Sequence, residues 1–203
     1  MVKVYLIYYS LYGHIRTMAQ AIKEGAAEVE GVELSMFQIP ETLPEEVLVK
    51  MHAPPKSDEP VITAAQLTEA DAFIFGFPTR FGCPCGQFKA FWDATGGHWA
   101  SGALTGKPFS MFVSSATQNG GQESTHLTAL PNFIHHGMIY VPSGTCCPGT
   151  QFDLSEVHGG SAYGPSTLAG GDGSRQPSEM ELAHAKAAGK YWATQFKRIG
   201  PKV

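Results

Sequence analysis

Ala72-Phe73-Ile74-Phe75-Gly76-Phe77 contains no polar side chain at all. A strand with one wet face alternates apolar and polar residues, so a run that is apolar throughout must be covered on both faces. A parallel sheet sandwiched between helices supplies that environment. Lys3–Tyr9, Val32–Ile39, Pro108–Ser114 and Met138–Pro142 read as four more strands. Between them apolar residues recur at helical spacing. Ile15, Met18, Ala19, Ile22, Ala26 and Val29 mark a helix closed by Gly31. Gln87–Thr95 marks a second, and Gln122–His136 a third with Leu127, Leu130 and Ile134 inward. A last helix begins at Ser178, which pairs with Glu181 as a capping box, and it buries Leu182, Ala185, Trp192 and Phe196. The alternation predicts an α/β fold: a doubly wound, five-stranded parallel sheet with helices on both faces.

A length of 203 residues suits one domain, 1–203, with insertions at about 40–68 and 143–177. Pro40–Pro60 is rich in proline and charge, with one short helix opened by a Thr42/Glu45 capping box; Thr63 with Gln66 opens another short turn. Ser143–Pro177 is glycine-rich and without periodicity, and a loop that long is functional or disordered. The net charge of −4 leaves no basic footprint for nucleic acid. No apolar run reaches the ~20 residues of a membrane span, and the first residues lack the pattern of a secretory signal. Cys83-Pro84-Cys85 and Cys146-Cys147 are not a spaced disulfide framework, which points to a thiol-reducing, cytoplasmic setting. The eight histidines fall in different elements except His135-His136, and adjacent helical residues point apart, so no metal site is expected.

In a doubly wound sheet the ligand sits at the carboxyl ends of the strands. Ser10-Leu11-Tyr12-Gly13-His14-Ile15 joins strand to helix there, and offers a hydroxyl, a glycine and a helix N-terminus suited to a phosphate. It is neither G-x-G-x-x-G nor a P-loop. Pro78-Thr79-Arg80-Phe81-Gly82 places a hydroxyl, a cation and an aromatic ring after the third strand, able to wrap a polar-edged ring. Ser114-Ser115-Ala116-Thr117-Gln118-Asn119-Gly120 exposes backbone N–H groups among small side chains.

Y-Y-S-x-Y-G-H, G-x-P-T-R-F-G, D-A-T-G-G-x-W, H-H-G-M and A-G-G-D-G-S-R-Q-P occur in that order. From about Val2 to Ile199 the chain resembles the WrbA-type NAD(P)H:quinone oxidoreductases. The resemblance implies a flavodoxin-like fold, FMN as cofactor, NADH or NADPH as co-substrate, and a homotetramer with active sites at subunit contacts. It places the FMN phosphate at Ser10–Ile15, the isoalloxazine against Thr79, Arg80, Phe81 and Gly82, and its polar edge and ribityl chain along Ser114–Gly120. It assigns His135 to the flavin of a neighbouring subunit, Tyr12 to the nicotinamide nucleotide and Trp99 to the quinone. Ala116 and Asn119 depart from the glycines usual in the family, as do Cys83-Pro84-Cys85 and Thr145-Cys146-Cys147 from their usual counterparts. The implied activity is two-electron reduction of quinones. The alternatives are a flavodoxin-type one-electron carrier and an FMN-binding stress or membrane-associated protein with little turnover.

Overall fold

The computed structural model describes residues 1–200. Strands β1 (Val2–Tyr8), β2 (Val32–Gln38), β3 (Ala72–Arg80) and β5 (Pro108–Ser115) are all parallel. β4 (Cys83–Pro84) folds back antiparallel on β3. The far edge is one strand position occupied twice: β6 (Ile139–Tyr140) pairs with the start of β5, and β7 (Ser166–Leu168) with its end. The order is therefore β2-β1-β3-β5-β6/β7, which is the flavodoxin-like order with its last strand interrupted. Six strands fill five positions, with β4 a short hairpin arm on the end of β3, and the sequence between β6 and β7 is an insertion within a strand.

Alternation along each strand divides the core. Val4, Leu6 and Tyr8 face α1 (His14–Ala27) and α7 (Glu179–Ile199), together with Trp192 and Phe196. Tyr5, Ile7, Phe73, Phe75 and Phe109 face the other side, under α3 (Gly86–Asp93) and α5 (Gln122–Ile134). Short helices α2 (Glu45–Lys50), α4 (Gly96–Ser101) and α6 (Pro148–Gln151) lie in the connections.

Several expectations need correction. The inward stripe of α5 is Thr125, His126, Ala129 and Phe133; Leu127 and Ile134 are exposed and Leu130 is half-buried. Two adjacent stripes carry the same period, and the aromatic ring takes the core because Phe133 stacks on Phe109 at 4.3 Å and meets Trp92 at 4.6 Å. Helix α2 is capped by Pro44 with no side-chain hydrogen bond, so the Thr42/Glu45 box does not form, whereas the Thr63/Gln66 and Ser178/Glu181 boxes do. Gln87–Thr95 shortens to α3, with α4 following. Ser143–Pro177 is neither structureless nor disordered: it contains α6 and β7 and buries Ser143, Ser166 and Thr167. Among the described residues no helix is long and apolar enough to cross a membrane, and no group of histidine, cysteine or acidic residues is arranged to hold a metal.

Candidate functional site

The carboxyl ends of β1, β3 and β5 surround a cavity of about 600 Å³. Its first wall is the turn after β1. Gly13 caps α1 in the left-handed region, φ 92°, with no side-chain cap. Only glycine takes that angle without strain. The turn leaves the N–H groups of Leu11 to Ile15 without partners among the described residues; the nearest paired amides are Arg16 N, which donates to Ser10 Oγ at 3.3 Å, and Thr17 N, which donates to the Gly13 carbonyl. Consecutive free N–H groups at a helix N-terminus form an anion cradle. Arg16 turns away from it, held by Glu59 at 2.9 Å. Burial alone would raise the Glu59 carboxyl, but the bonds from Arg16 hold it at about 2.

The second wall corrects the loop expected at Pro78–Gly82. Pro78, Thr79 and Arg80 still belong to β3, and the reversal is a two-residue hairpin turn at Phe81-Gly82. Both are left-handed, φ 55° and 78°, as a turn matched to strand twist requires. A phenylalanine rarely adopts that angle. Its ring is fully exposed, projecting from the rim of the cavity. The Thr79 hydroxyl accepts from Gly82 N at 3.1 Å and lies 2.6 Å from that of Thr125, while Arg80 donates to the Thr79 carbonyl at 2.8 Å.

The third wall is Ser114 to Gly120. Ser114 and Ser115 finish β5, and the chain turns at Asn119, φ 57°. Asparagine tolerates that conformation where glycine is usual, while Ala116 is not asked to adopt it. Gly13, Gly82, Gln118 and Asn119 shape their turns without lining the cavity; the other expected residues of these three segments line it.

A fourth wall escaped sequence reasoning: Ala169-Gly170-Gly171-Asp172-Gly173. Ala169 N and Gly170 N donate to the carbonyls of Ser115 and Ala116 at 2.8 and 2.9 Å, which ties this loop to the third wall. It brings the Asp172 carboxylate to the cavity, where hydrogen bonds from the Ser174 backbone and side chain lower its pKa. The loop is anchored from behind by Glu181, a buried carboxylate. Glu181 accepts from both Gly159 N and Ser178 N at 2.9 Å, Thr167 Oγ1 at 2.7 Å, Leu168 N at 3.2 Å and the Arg175 guanidinium at 2.9 Å. The sequence signalled Glu181 only as a helix cap. The glycine-rich run at 169–173 was the available sign of the wall itself.

His135 and Trp99 are both exposed and lie outside this cavity. They line a shallower cleft of about 350 Å³ with Trp92, Pro131 and His136. Tyr12 does line the main cavity, half exposed, and its hydroxyl donates to the Met51 carbonyl at 3.0 Å, pinning the 40–60 insertion to the first wall.

The model of the NADPH-dependent FMN reductases matches residues 2–152, nearly three quarters of the chain. The chain belongs to the NADPH-dependent FMN reductase family. The matched part carries the first three walls; the fourth lies beyond it. Among similar family relatives, quinone-oxidoreductase QR2 of Triphysaria versicolor is 56% identical over 97% of this chain and 96% of its own length. An NAD(P)H dehydrogenase (quinone) of Solidesulfovibrio magneticus is 48% identical over 97% and 98%. The crystal structure of a flavodoxin, WrbA-like protein from Agrobacterium tumefaciens superposes with a TM-score of 0.66 at 26% identity, covering 98% of this chain and 99% of that one.

Proposed function

We propose that this protein is an FMN-dependent NAD(P)H:quinone oxidoreductase. The observation that carries the reading is the cradle of free N–H groups at Leu11–Ile15, at the N-terminus of α1, opening into a cavity of about 600 Å³. The donor chemistry fits FMN: one anion site for one phosphate, small hydroxylated residues at Ser114–Thr117 for a polyol chain, and Thr79 and Arg80 for a polar ring edge. The chain carries neither G-x-G-x-x-G nor a P-loop, and the family whose model it matches is named for FMN, which favours FMN over FAD. Relatives about half identical over nearly their whole length carry quinone reductase names.

FMN, when bound, supplies hydride chemistry between a nicotinamide and a quinone. The reaction takes a hydride from NAD(P)H and two electrons plus two protons to the quinone, giving NAD(P)+ and a quinol. The protein's part is to bind and orient. Leu11–Ile15 hold the phosphate, and Arg80 offers a cation at the ring edge. Tyr12 contacts the nicotinamide nucleotide. His135 of a neighbouring subunit supplies a proton donor, and its Trp99 flanks the quinone.

That assignment requires an assembly, proposed to be a homotetramer. Phe81, Leu127, Ile134 and Trp99 are all exposed large apolar side chains. The Phe81-Gly82 turn is bound to α5 by Thr128 Oγ1, which donates to the Gly82 carbonyl at 3.0 Å, so this apolar surface is continuous with the rim of the cavity. The compartment is proposed to be the cytoplasm, which the four free cysteines support.

Titration of the apoprotein with flavins tests the cofactor reading. FMN is expected to saturate at one per chain, and the loaded protein to turn over NADH or NADPH with quinones under anaerobic conditions. Preferred uptake of FAD, or single-electron exchange without nucleotide oxidation, overturns it. Dilution is expected to dissociate the assembly and lower activity and FMN affinity together. A fully active monomer contradicts a shared site. Trp99→Ala is expected to raise the quinone KM several-fold while costing less than about 1 kcal/mol of stability, because the ring is exposed rather than core.

A further inference from the structure

His14 is the first residue of α1, and its ring is nearly buried in the wall of the main cavity. Nε2 lies 2.9 Å from the Arg175 carbonyl. A carbonyl only accepts, so Nε2 carries the hydrogen. Nδ1 has no hydrogen-bond partner among the described residues. It is also not one of the sealed, unpartnered atoms, which are His136 Nδ1, His184 Nε2 and Trp192 Nε1. The ring therefore has one nitrogen committed to the Arg175 carbonyl and one without a partner among the described residues, on a residue that lines the cavity and opens α1.

The other charged groups around it are already engaged. Arg16 pairs with Glu59, and Arg175 pairs with Glu181. Asp172 accepts from Ser174, and Arg80 binds the Thr79 carbonyl on the opposite wall. The first wall itself, residues 10–15, contains no lysine or arginine. A phosphate dianion bound at the first wall would meet neutral N–H groups, the Ser10 hydroxyl and one imidazole, with the Asp172 carboxylate lining the same cavity. The positive end of a helix opposes a cation beside it, and a dianion placed there reverses that balance.

We propose that His14 recognises the charge of the FMN phosphate by taking up a proton on Nδ1 as the phosphate binds, its ring held in register through Nε2 by the loop that Glu181 and Arg175 anchor. The proton comes from solvent; no bond is made or broken except N–H. The proposal rests on the FMN reading. Above pH 7 free FMN phosphate is already mostly dianionic, so the proton taken up is not one the ligand brings. Because binding takes up a proton, FMN affinity falls as pH rises, by at most about tenfold per pH unit. Riboflavin, which lacks the phosphate, shows no such dependence.

Calorimetric titration of the apoprotein at pH 7.5, in two buffers of different ionisation enthalpy, counts the protons directly. Wild-type protein is expected to take up close to one proton per FMN and none per riboflavin. His14→Gln retains an N–H donor for the Arg175 carbonyl but cannot titrate, and is expected to bind FMN with no proton uptake and an affinity flat from pH 7 to 8.5. FMN binding by the wild type without proton uptake overturns the proposal and leaves the cofactor reading standing, as does uptake that persists in His14→Gln. Failure of the wild type to bind FMN overturns both. The comparison of FMN with riboflavin on the wild type decides the matter independently of the variant's folding.

Discussion

Glu181→Ala is expected to cost about 3–5 kcal/mol of stability and to weaken FMN binding at least tenfold. The carboxylate is 1% exposed, and its partners come from four separate places: Gly159, Thr167-Leu168, Arg175 and Ser178. Removing it leaves the Arg175 guanidinium, whose side chain is 30% exposed, without its anion, and it strands several amide donors. Breaking one partner of a buried ion pair typically costs about 3–5 kcal/mol, and each orphaned buried donor about 1–3. For a chain of this size that corresponds to a fall in melting temperature of roughly 10 °C. The effect reaches the site because Arg175 also closes the 169–173 loop, through its N–H to the Ala169 carbonyl and NH1 to the Leu168 carbonyl. Melting curves with and without FMN check both parts. Glu181→Gln keeps the shape but replaces one acceptor oxygen by an amide NH2, a donor facing donors, so an intermediate loss is expected. A Glu181→Ala protein that melts within about 2 °C of wild type and binds FMN normally contradicts this account.

Gly189→Val is expected to lower stability by about 3 kcal/mol. Helices α1 and α7 approach so closely that a Cβ at Gly189 would overlap the Ile22 carbonyl, and a Cβ at Gly25 the Lys186 carbonyl. The obstacle in each case is backbone, so a side chain cannot simply step aside. The helices must separate, and the packing of Ile22, Met18 and Trp192 behind them opens. Overpacking of this kind costs about 1–3 kcal/mol or more, against a helix-propensity gain of at most about 1 when glycine is replaced. Gly86, at the start of α3, has nothing near its missing Cβ, so Gly86→Ala is the control and is expected to fall within about 0.5 kcal/mol of wild type. Chemical denaturation of the two variants side by side gives the comparison. Equal stabilities mean that the helix contact tolerates separation. Because α1 carries the anion cradle at its N-terminus, loss of packing at Gly189 is also expected to weaken FMN binding more than riboflavin binding.

Where sequence reasoning failed, it failed for identifiable reasons. In α5, Leu127-Leu130-Ile134 and His126-Ala129-Phe133 are stripes of the same period, displaced by one residue, and only the aromatic sheet face tells which is buried. The 143–177 stretch has no periodicity because its structure is not periodic. Short β7 is ordered by pairing with β5, and the loop around it by one buried carboxylate; neither leaves a local pattern. Asp172 reaches the cavity by the same route.

The sequence alone determined the sheet, its two covered faces, the three strand-end segments of the site and the family. Those properties are local: apolar runs, helical spacing and short motifs report on the immediate surroundings of each residue. Only the tertiary structure decided that the fourth wall is Ala169–Gly173, that Glu181 anchors it, and that the Arg175 carbonyl fixes the His14 ring. It also decided that His135 and Trp99 share a separate cleft, away from the cavity of their own chain. These depend on contacts between residues as far apart as His14 and Arg175, and no local pattern encodes which distant partner satisfies a buried polar group.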